Sequence, residues 1–176
     1  MVEKLDIYNR EKIRTGKIIE RTKGLKLNKG EYILGVQCWI INKQGEILLT
    51  QRRLNKGYGG MWEPTGGLVI SGENSIQGIK RELQEEIGLN VSDNELFLVK
   101  EKIEEEENCN SFRDVYIIKK DIDLNELHFY DGEVINAQYV TIEKLSYMIE
   151  QGESFEWLRY FIDLYRKIKW FKNYNF

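Results

Sequence analysis

Hydrophobic and polar positions follow a helical period most clearly in residues 74–87. Apolar residues recur there three and four positions apart, at Ile76, Ile79, Leu83 and Ile87. This spacing places them on one stripe of an amphipathic helix. No proline interrupts the segment, and Gly88 follows it as a C-cap. The pattern predicts a helix that packs one face against a core.

Apolar and β-branched runs predict the strands of a sheet. Residues 31–42 are the most apolar run, and a turn leads from them into a returning strand at residues 46–53. Residues 5–8 and 14–21 predict a short hairpin before this pair. Weaker strand patterns follow at residues 95–102, 112–120, 127–130 and 138–140.

Two more helices are expected, at residues 141–151 and 154–170. The tail, residues 168–176, interleaves lysines with aromatic residues, a composition also found at membrane and nucleic-acid surfaces. We interpret it as an amphipathic terminal helix docked on its own domain or on a homodimer partner. With no repeat or linker in the chain, the elements predict one α/β domain.

Composition and charge exclude several classes of protein. The chain has 176 residues, the size of one domain, and a formal net charge of -3. A general nucleic-acid or anionic-membrane binder would need a basic excess. No run is long enough to cross a membrane, and the start has no apolar core of the signal-peptide type. We therefore expect a cytoplasmic protein with no nucleic-acid or membrane partner.

Carboxylates are the main candidates for chemistry. His128 is the only histidine, and two cysteines are too few for a disulfide framework or a zinc site. Glu82, Glu85 and Glu86 share one face of the predicted helix. Such like charges repel by a few tenths of a kcal/mol per pair, whereas clustered carboxylates are what Mg²⁺ or Mn²⁺ selects. The alternative is an ordinary solvated helix face.

The wider spacing decides between these alternatives. The chain reads G-x5-E-x7-R-E-U-x-E-E-x-G-U, where U is apolar, with the fixed positions Gly67, Glu73, Arg81, Glu82, Leu83, Glu85, Glu86, Gly88 and Leu89. This pattern resembles the Nudix box of the Nudix hydrolases, with every fixed position filled. The fold implied is a single α/β domain with a mixed β-sheet sandwiched between helices. It would span residues 30–176, including the C-terminal helix, after an N-terminal extension of residues 1–29 with short strands.

The resemblance implies hydrolysis of a diphosphate linkage in a small-molecule substrate, a nucleoside diphosphate joined to another group. Glu82, Glu85 and Glu86 would hold Mg²⁺ or Mn²⁺, with a backbone carbonyl of Gly66 or Gly67 as a further ligand. A bound metal would offset developing charge and acidify a water molecule.

Further roles carry over from the same resemblance. Arg81 would orient the glutamates with Glu73 as its partner. Glu82 or Glu133 would act as general base. Gly67, Glu73 and Gly88 would be structural positions of the box.

Other residues are candidates for substrate contact. Arg52 and Arg53 end a predicted strand, where alternation lets at most one of them face the ligand. Lys56 and Tyr58 lie in the following loop and could frame the opening, and Trp62 could stack on a ring or belong to the core. The acidic run at residues 104–107 is interpreted as a solvated hairpin tip, with additional metal ligands as the alternative.

Residues flanking the box resemble the isopentenyl-diphosphate-isomerase-like branch. That isomerase uses a catalytic cysteine and histidines, and the matching stretch here, EPTGG, contains neither. Hydrolysis is therefore favoured over isomerisation. A catalytically silent nucleotide-binding module is the remaining alternative, and the intact acidic face argues against it.

Overall fold

The longest apolar run of the sequence forms the centre of a mixed sheet. The computed structural model describes residues 2–130 and 132–170 of the chain. The strands are β1 (Lys4–Tyr8), β2 (Arg14–Glu20), β3 (Tyr32–Ile41), β4 (Ile47–Arg52), β5 (Trp62–Glu63), β6 (Gly66–Leu68), β7 (Phe97–Glu104), β8 (Asn110–Lys119) and β9 (Val134–Val140). The helices are α1 (Ser75–Ile87), α2 (Ile142–Glu150) and α3 (Arg159–Trp170), with short 3₁₀ turns at Asp93–Glu95, Leu124–Glu126 and Glu156–Leu158.

Strand β3 is buried along its whole length because both faces of the sheet are covered. It pairs in parallel with β8 and antiparallel with β1, β4 and β6. Val36 and Cys38 belong to the core on the α1 side, whereas Trp39 packs with α2 and α3 on the other side. The predicted fold, a mixed sheet sandwiched between helices in one domain, is confirmed.

Helix α1 forms as its period predicts. Asn74 caps its first turn and exchanges hydrogen bonds with Gln77 in a capping box, and Gly88 ends the helix in the left-handed conformation. The Ile79, Leu83 and Ile87 side chains are fully buried against the sheet. The buried stripe fixes the rotation of the helix, and Glu82 on its neighbouring face lies against Gly67 of β6.

The opposite face of the sheet carries α2 and α3. Helix α2 matches its prediction, with Thr141 as N-cap. The single helix expected at residues 154–170 is wrong, because it begins as a 3₁₀ turn and α3 starts only at Arg159. Ser154 Oγ donates to the Trp62 carbonyl at 2.7 Å, and Trp62 N–H donates to the Glu153 carbonyl at 2.9 Å. These bonds hold the backbone before residue 156 against β5, so the α-helix begins later in the sequence than predicted.

The strand predicted at residues 127–130 is also wrong. His128 N–H donates to the Ile87 carbonyl and Tyr130 N–H to the Glu85 carbonyl, both at 3.1 Å. The segment therefore satisfies carbonyls in the last turn of α1 instead of joining a sheet. The strand expected at residues 138–140 is part of the longer β9, which pairs with β4.

The terminal segment is described only in part. The interpretation of the tail as a docked amphipathic helix applies to residues 168–176, of which residues 171–176 lie outside the described part of the chain. Among the helices of the described residues, none is both long and apolar enough to cross a membrane.

Candidate active site

A cavity of about 290 Å³ opens where α1 and β6 meet the central strands. Its lining is strongly charged and combines carboxylates with arginines from separate parts of the chain. The lining includes Glu3, Arg21, Gln37, Arg52, Glu63, Gly66, Gly67, Arg81, Glu82, Glu85, Glu86, Arg113, Glu133 and Trp157. The structure therefore brings both the box and several remote residues to one place.

The acidic face of α1 forms one side of this cavity. Glu82 and Glu86 are each only 8% exposed, whereas the Glu85 side chain is 47% exposed. An ordinary solvated helix face would leave all three in water. Burying a carboxylate is costly unless hydrogen bonds or opposite charges compensate, so this face needs compensating groups within the cavity.

Arg81 is the central compensating group. Its Nε donates to Glu73 Oε1 at 3.0 Å, and its Nη1 donates to Glu82 Oε1 at 2.8 Å and to Glu85 Oε2 at 2.9 Å. Its Nη2 donates to the Leu68 carbonyl at 2.8 Å. One guanidinium thus ties α1 to the loop before it and to β6, using the fork of donors that lysine lacks.

Glu82 lies against the backbone of Gly67. A Cβ placed on Gly67 would overlap the Glu82 carboxylate, so a larger residue there would displace that carboxylate. Gly66 is more tightly constrained, because its Cβ would overlap the backbone carbonyl of Val36 in β3. Burial raises the pKa of Glu82 to about 7, although the charge and hydrogen bond of Arg81 act in the opposite direction.

The donor set of this cavity fits a hard divalent cation. Glu82, Glu85 and Glu86 supply carboxylate oxygens beside the backbone of Gly66 and Gly67, and oxygen is the ligand that Mg²⁺ and Mn²⁺ prefer. Within residues 2–130 and 132–170, no three acidic, histidine or cysteine side chains converge into a ready-made metal cluster. Two of the three glutamates, Glu82 and Glu85, accept hydrogen bonds from Arg81, which also lines the cavity.

Glu133 reaches the cavity from the loop before β9. Lys56 Nζ donates to its Oε1 at 2.6 Å, and Arg53 N–H donates to its carbonyl at 2.7 Å. Burial acts to raise the pKa of Glu133, but the Lys56 hydrogen bond and charge outweigh it and hold that pKa below its usual value. The environment of the loop carboxylate therefore favours its charged form, and the carboxylate shares the cavity lining with the glutamates of α1.

The predicted substrate contacts separate into two groups. Arg52 lines the cavity, where it is paired with Glu63. Arg53, Lys56 and Trp62 do not line it. Arg53 lies one residue beyond the end of β4, and Trp62 packs beside the core on the α2 and α3 side.

Sequence reasoning missed three prominent lining residues, Arg21, Arg113 and Trp157. The sequence could have indicated Arg113 as a functional candidate, because it is a charged residue inside the apolar strand β8. Glu104, which sequence analysis assigned to a solvated tip, ends strand β7 and accepts from Arg113 Nε at 3.1 Å. That interpretation is wrong for Glu104, because pairing of β7 with β8 brings it beside Arg113.

Comparison with known proteins identifies the family. The model of the NUDIX domain matches residues 31–163. The chain belongs to the Nudix family. An uncharacterised Nudix hydrolase of Listeria monocytogenes is 33% identical over 154 residues, which cover 86% of this chain and 88% of that protein. The crystal structure of DR0079 from Deinococcus radiodurans covers 94% of this chain and 98% of its own, with a TM-score of 0.70 and 24% identity.

A shorter similarity extends to an enzyme of stated substrate. An 8-oxo-dGTP diphosphatase of Proteus vulgaris is 42% identical over 58 residues, 33% of this chain and 49% of that protein. Together with the full-length relatives, these matches identify the chain as a MutT-like Nudix hydrolase that acts on diphosphate bonds.

Proposed function

We propose that this Nudix hydrolase cleaves the diphosphate linkage of a nucleoside diphosphate joined to a further group, with Mg²⁺ or Mn²⁺ as cofactor. The observation that carries the proposal is the cavity itself, where the buried carboxylates of α1 face arginines from β4, β8 and the segment after β2. An anionic substrate with an associated cation matches both kinds of charge. The similarity to a nucleotide diphosphatase supports a nucleotide as the substrate.

The chemistry of each lining residue suits it to a different role in the proposed reaction. Glu82, Glu85 and Glu86, with a carbonyl of Gly66 or Gly67, would hold the metal, which when bound supplies Lewis acidity and an acidified water. Arg52 would bind phosphate oxygens, since its guanidinium matches their geometry. Glu82 or Glu133 would accept the proton of the water that attacks phosphorus, and Arg81 would keep the glutamates in place.

Isomerase chemistry receives no support from the cavity. Cys38 is buried in the core on the α1 side, where burial raises the pKa of its thiol far above the usual value. Neither Cys38 nor Cys109 is among the described residues that line the cavity. A thiol with these properties is a poor nucleophile or acid.

The test is a substrate panel with Mg²⁺ or Mn²⁺ and EDTA controls, applied to Glu85→Gln and Glu86→Gln. Each variant should lose about 100-fold or more in turnover, the order of cost seen when one stabilising group is removed from a catalytic site. Glu150→Gln, an exposed change on α2, is the matched control and should keep full activity. Full activity in both cavity variants would refute the metal site.

Glu133→Gln separates the two candidate bases in the same assay. A fall in turnover with unchanged metal affinity would assign the proton to Glu133. An unchanged rate would leave Glu82 as the base. The cytoplasmic location, the homodimer and the division of the chain at residues 1–29 and 30–176 stay predictions.

A further inference from the structure

An aromatic surface adjoins the charged cavity through Trp157. We call it the aromatic rim and define it as Tyr58, Phe155 and Trp157. The ring centroids of Phe155 and Trp157 lie 5.4 Å apart, as do those of Tyr58 and Phe155. Trp157 lines the cavity and remains 40% exposed, and Tyr58 is 74% exposed. These rings thus leave apolar surface in water next to a polar cavity.

Trp157 is held at this position by cations and not by core packing alone. The guanidinium carbon of Arg113 lies 5.4 Å from its ring centroid and Lys102 Nζ lies 5.8 Å away. Both distances are within the range of cation–π attraction. Glu104 fixes both cations, since it accepts from Lys102 Nζ at 2.7 Å and from Arg113 Nη2 at 3.0 Å.

The second cation also contacts a residue anchored in the core. Lys102 Nζ lies 4.3 Å from the ring centroid of Tyr160. Tyr160 donates to Gln37 and accepts from Trp39 Nε1 at 3.1 Å, and both of these partners belong to the buried strand β3. The side of the cavity that carries Trp157 is therefore connected by side-chain contacts to the buried strand β3, the kind of support that a ring-binding surface needs.

We propose that the aromatic rim binds the nucleobase of the substrate by stacking, with Trp157 as the main contact. This inference rests on the proposed function and deepens it, because it selects nucleotides over diphosphates that carry no aromatic group. Every nucleobase has a π-face, so stacking on Trp157 accepts any of them. Arg113, which both lines the cavity and faces the ring, links the base site to the phosphate site.

The geometry favours a base over an aliphatic group for an electrostatic reason. Arg113 and Lys102 carry only donors, and nucleobases present carbonyl oxygens and ring nitrogens as acceptors at their edges. An isoprenoid or other aliphatic chain would offer no acceptor to these cations, which already donate to Glu104, and it would displace water from the exposed part of the site. Such desolvation without compensation disfavours the aliphatic ligand.

Binding of molecules that cannot be cleaved tests this inference separately from hydrolysis. The four nucleoside 5′-monophosphates and ribose 5-phosphate contain no diphosphate bond, and the last lacks a base. Calorimetric titration of the full chain should show at least one nucleotide binding about tenfold more tightly than ribose 5-phosphate, within the range that stacking contributes. Trp157→Leu should remove this difference, and Trp157→Phe should restore most of it.

Two further variants keep the test decisive. Tyr58→Leu changes an exposed side chain, so it should fold normally and weaken nucleotide binding by a smaller factor. Tyr147→Leu is the matched control, since Tyr147 is 50% exposed on α2 with Lys144 Nζ 4.7 Å from its ring centroid, outside the cavity lining. It should leave binding unchanged.

The outcomes distinguish the two proposals. Equal affinity for nucleotides and ribose 5-phosphate in the wild type, or an unchanged preference in folded Trp157→Leu, would overturn the base site. Loss of the nucleotide preference in Trp157→Leu supports the base site whether or not the protein hydrolyses a diphosphate. Absence of hydrolysis across the substrate panel would instead refute the proposed function. If hydrolysis is observed, Trp157→Leu should raise KM for the nucleotide substrate about tenfold while kcat is retained.

Discussion

Two opposing walls of the cavity are built in different ways. The acid wall, Glu82, Glu85 and Glu86, lies on one helix, and Arg81 of that helix holds Glu82 and Glu85. The basic wall consists of arginines from three separate segments, each paired with a carboxylate: Arg21 with Glu3 at 2.6 Å, Arg52 with Glu63, and Arg113 with Glu104 at 3.0 Å. One wall is a local network, and the other is an assembly of distant pairs.

This difference implies different consequences for function. A change in the acid wall disturbs several contacts of the same network, so it should alter both the chemistry and the packing around α1. A change in the basic wall breaks one pair and leaves the others, so it should mainly alter substrate affinity. The kcat and KM of variants in each wall can therefore be compared directly.

The largest effect should come from Gly67→Ala. The added Cβ would overlap the Glu82 carboxylate and push it from its place beside β6. Displacing a catalytic group by about 1 Å can cost about 100-fold in rate, and we expect at least that loss in kcat. Steady-state kinetics would measure it.

Gly57→Ala is the control for this substitution. A Cβ there meets nothing within 4 Å, so the loop should accept it without loss of activity. Wild-type rates in Gly67→Ala would mean that the position of Glu82 against β6 does not matter for catalysis.

An intermediate effect is expected for Arg81→Gln, compared with Arg113→Gln. Arg81→Gln removes charged hydrogen bonds that hold α1, β6 and the loop before it, and should lower the free energy of unfolding by about 1.5–3 kcal/mol. It should also lower kcat. Arg113→Gln should raise KM with a smaller change in kcat, because it belongs to the basic wall.

Denaturant unfolding and steady-state kinetics on both variants would test this split. If Arg113→Gln lowered kcat as much as Arg81→Gln, the two walls would not have separate roles.

The smallest effect is expected for Glu95 and Lys120, an ion pair outside the cavity lining. It serves as a reference for the stability that an ion pair contributes when it has no role in the site. The Lys120 hydrogen bond, together with the Ser92 backbone and hydroxyl, lowers the pKa of Glu95 to about 2 from the ordinary 4.5. Because the folded pKa is the lower one, the stabilisation is present above pH 4.5 and is lost as the pH falls toward 2. At pH 7 the change Glu95→Gln should cost less than about 1 kcal/mol, as for other partly exposed pairs.

Denaturant unfolding at pH 7 and pH 3 would check this expectation. The difference in the free energy of unfolding between wild type and Glu95→Gln should be smaller at pH 3 than at pH 7. An equal gap at both values would show that Glu95 titrates at an ordinary pKa.

The parts of the fold that sequence analysis predicted correctly depend on local contacts. Helix α1 matches because its apolar period, its N-cap and its C-cap all lie within residues 74–88. The errors occur where the backbone bonds to distant residues. The apolar composition predicted a strand at residues 127–130, but His128 and Tyr130 donate to carbonyls of α1, and no local pattern reveals that partner.

The same distinction applies to the site. The sequence by itself determined the acid wall, because residues three and four positions apart must share a helix face whatever surrounds them. Only the tertiary structure decided the basic wall and the aromatic rim. Arg21, Arg113 and Trp157 meet at the cavity because strand pairing and the 3₁₀ turn before α3 place them there. The spacing of these residues along the chain does not encode their proximity, since it arises from packing between distant segments.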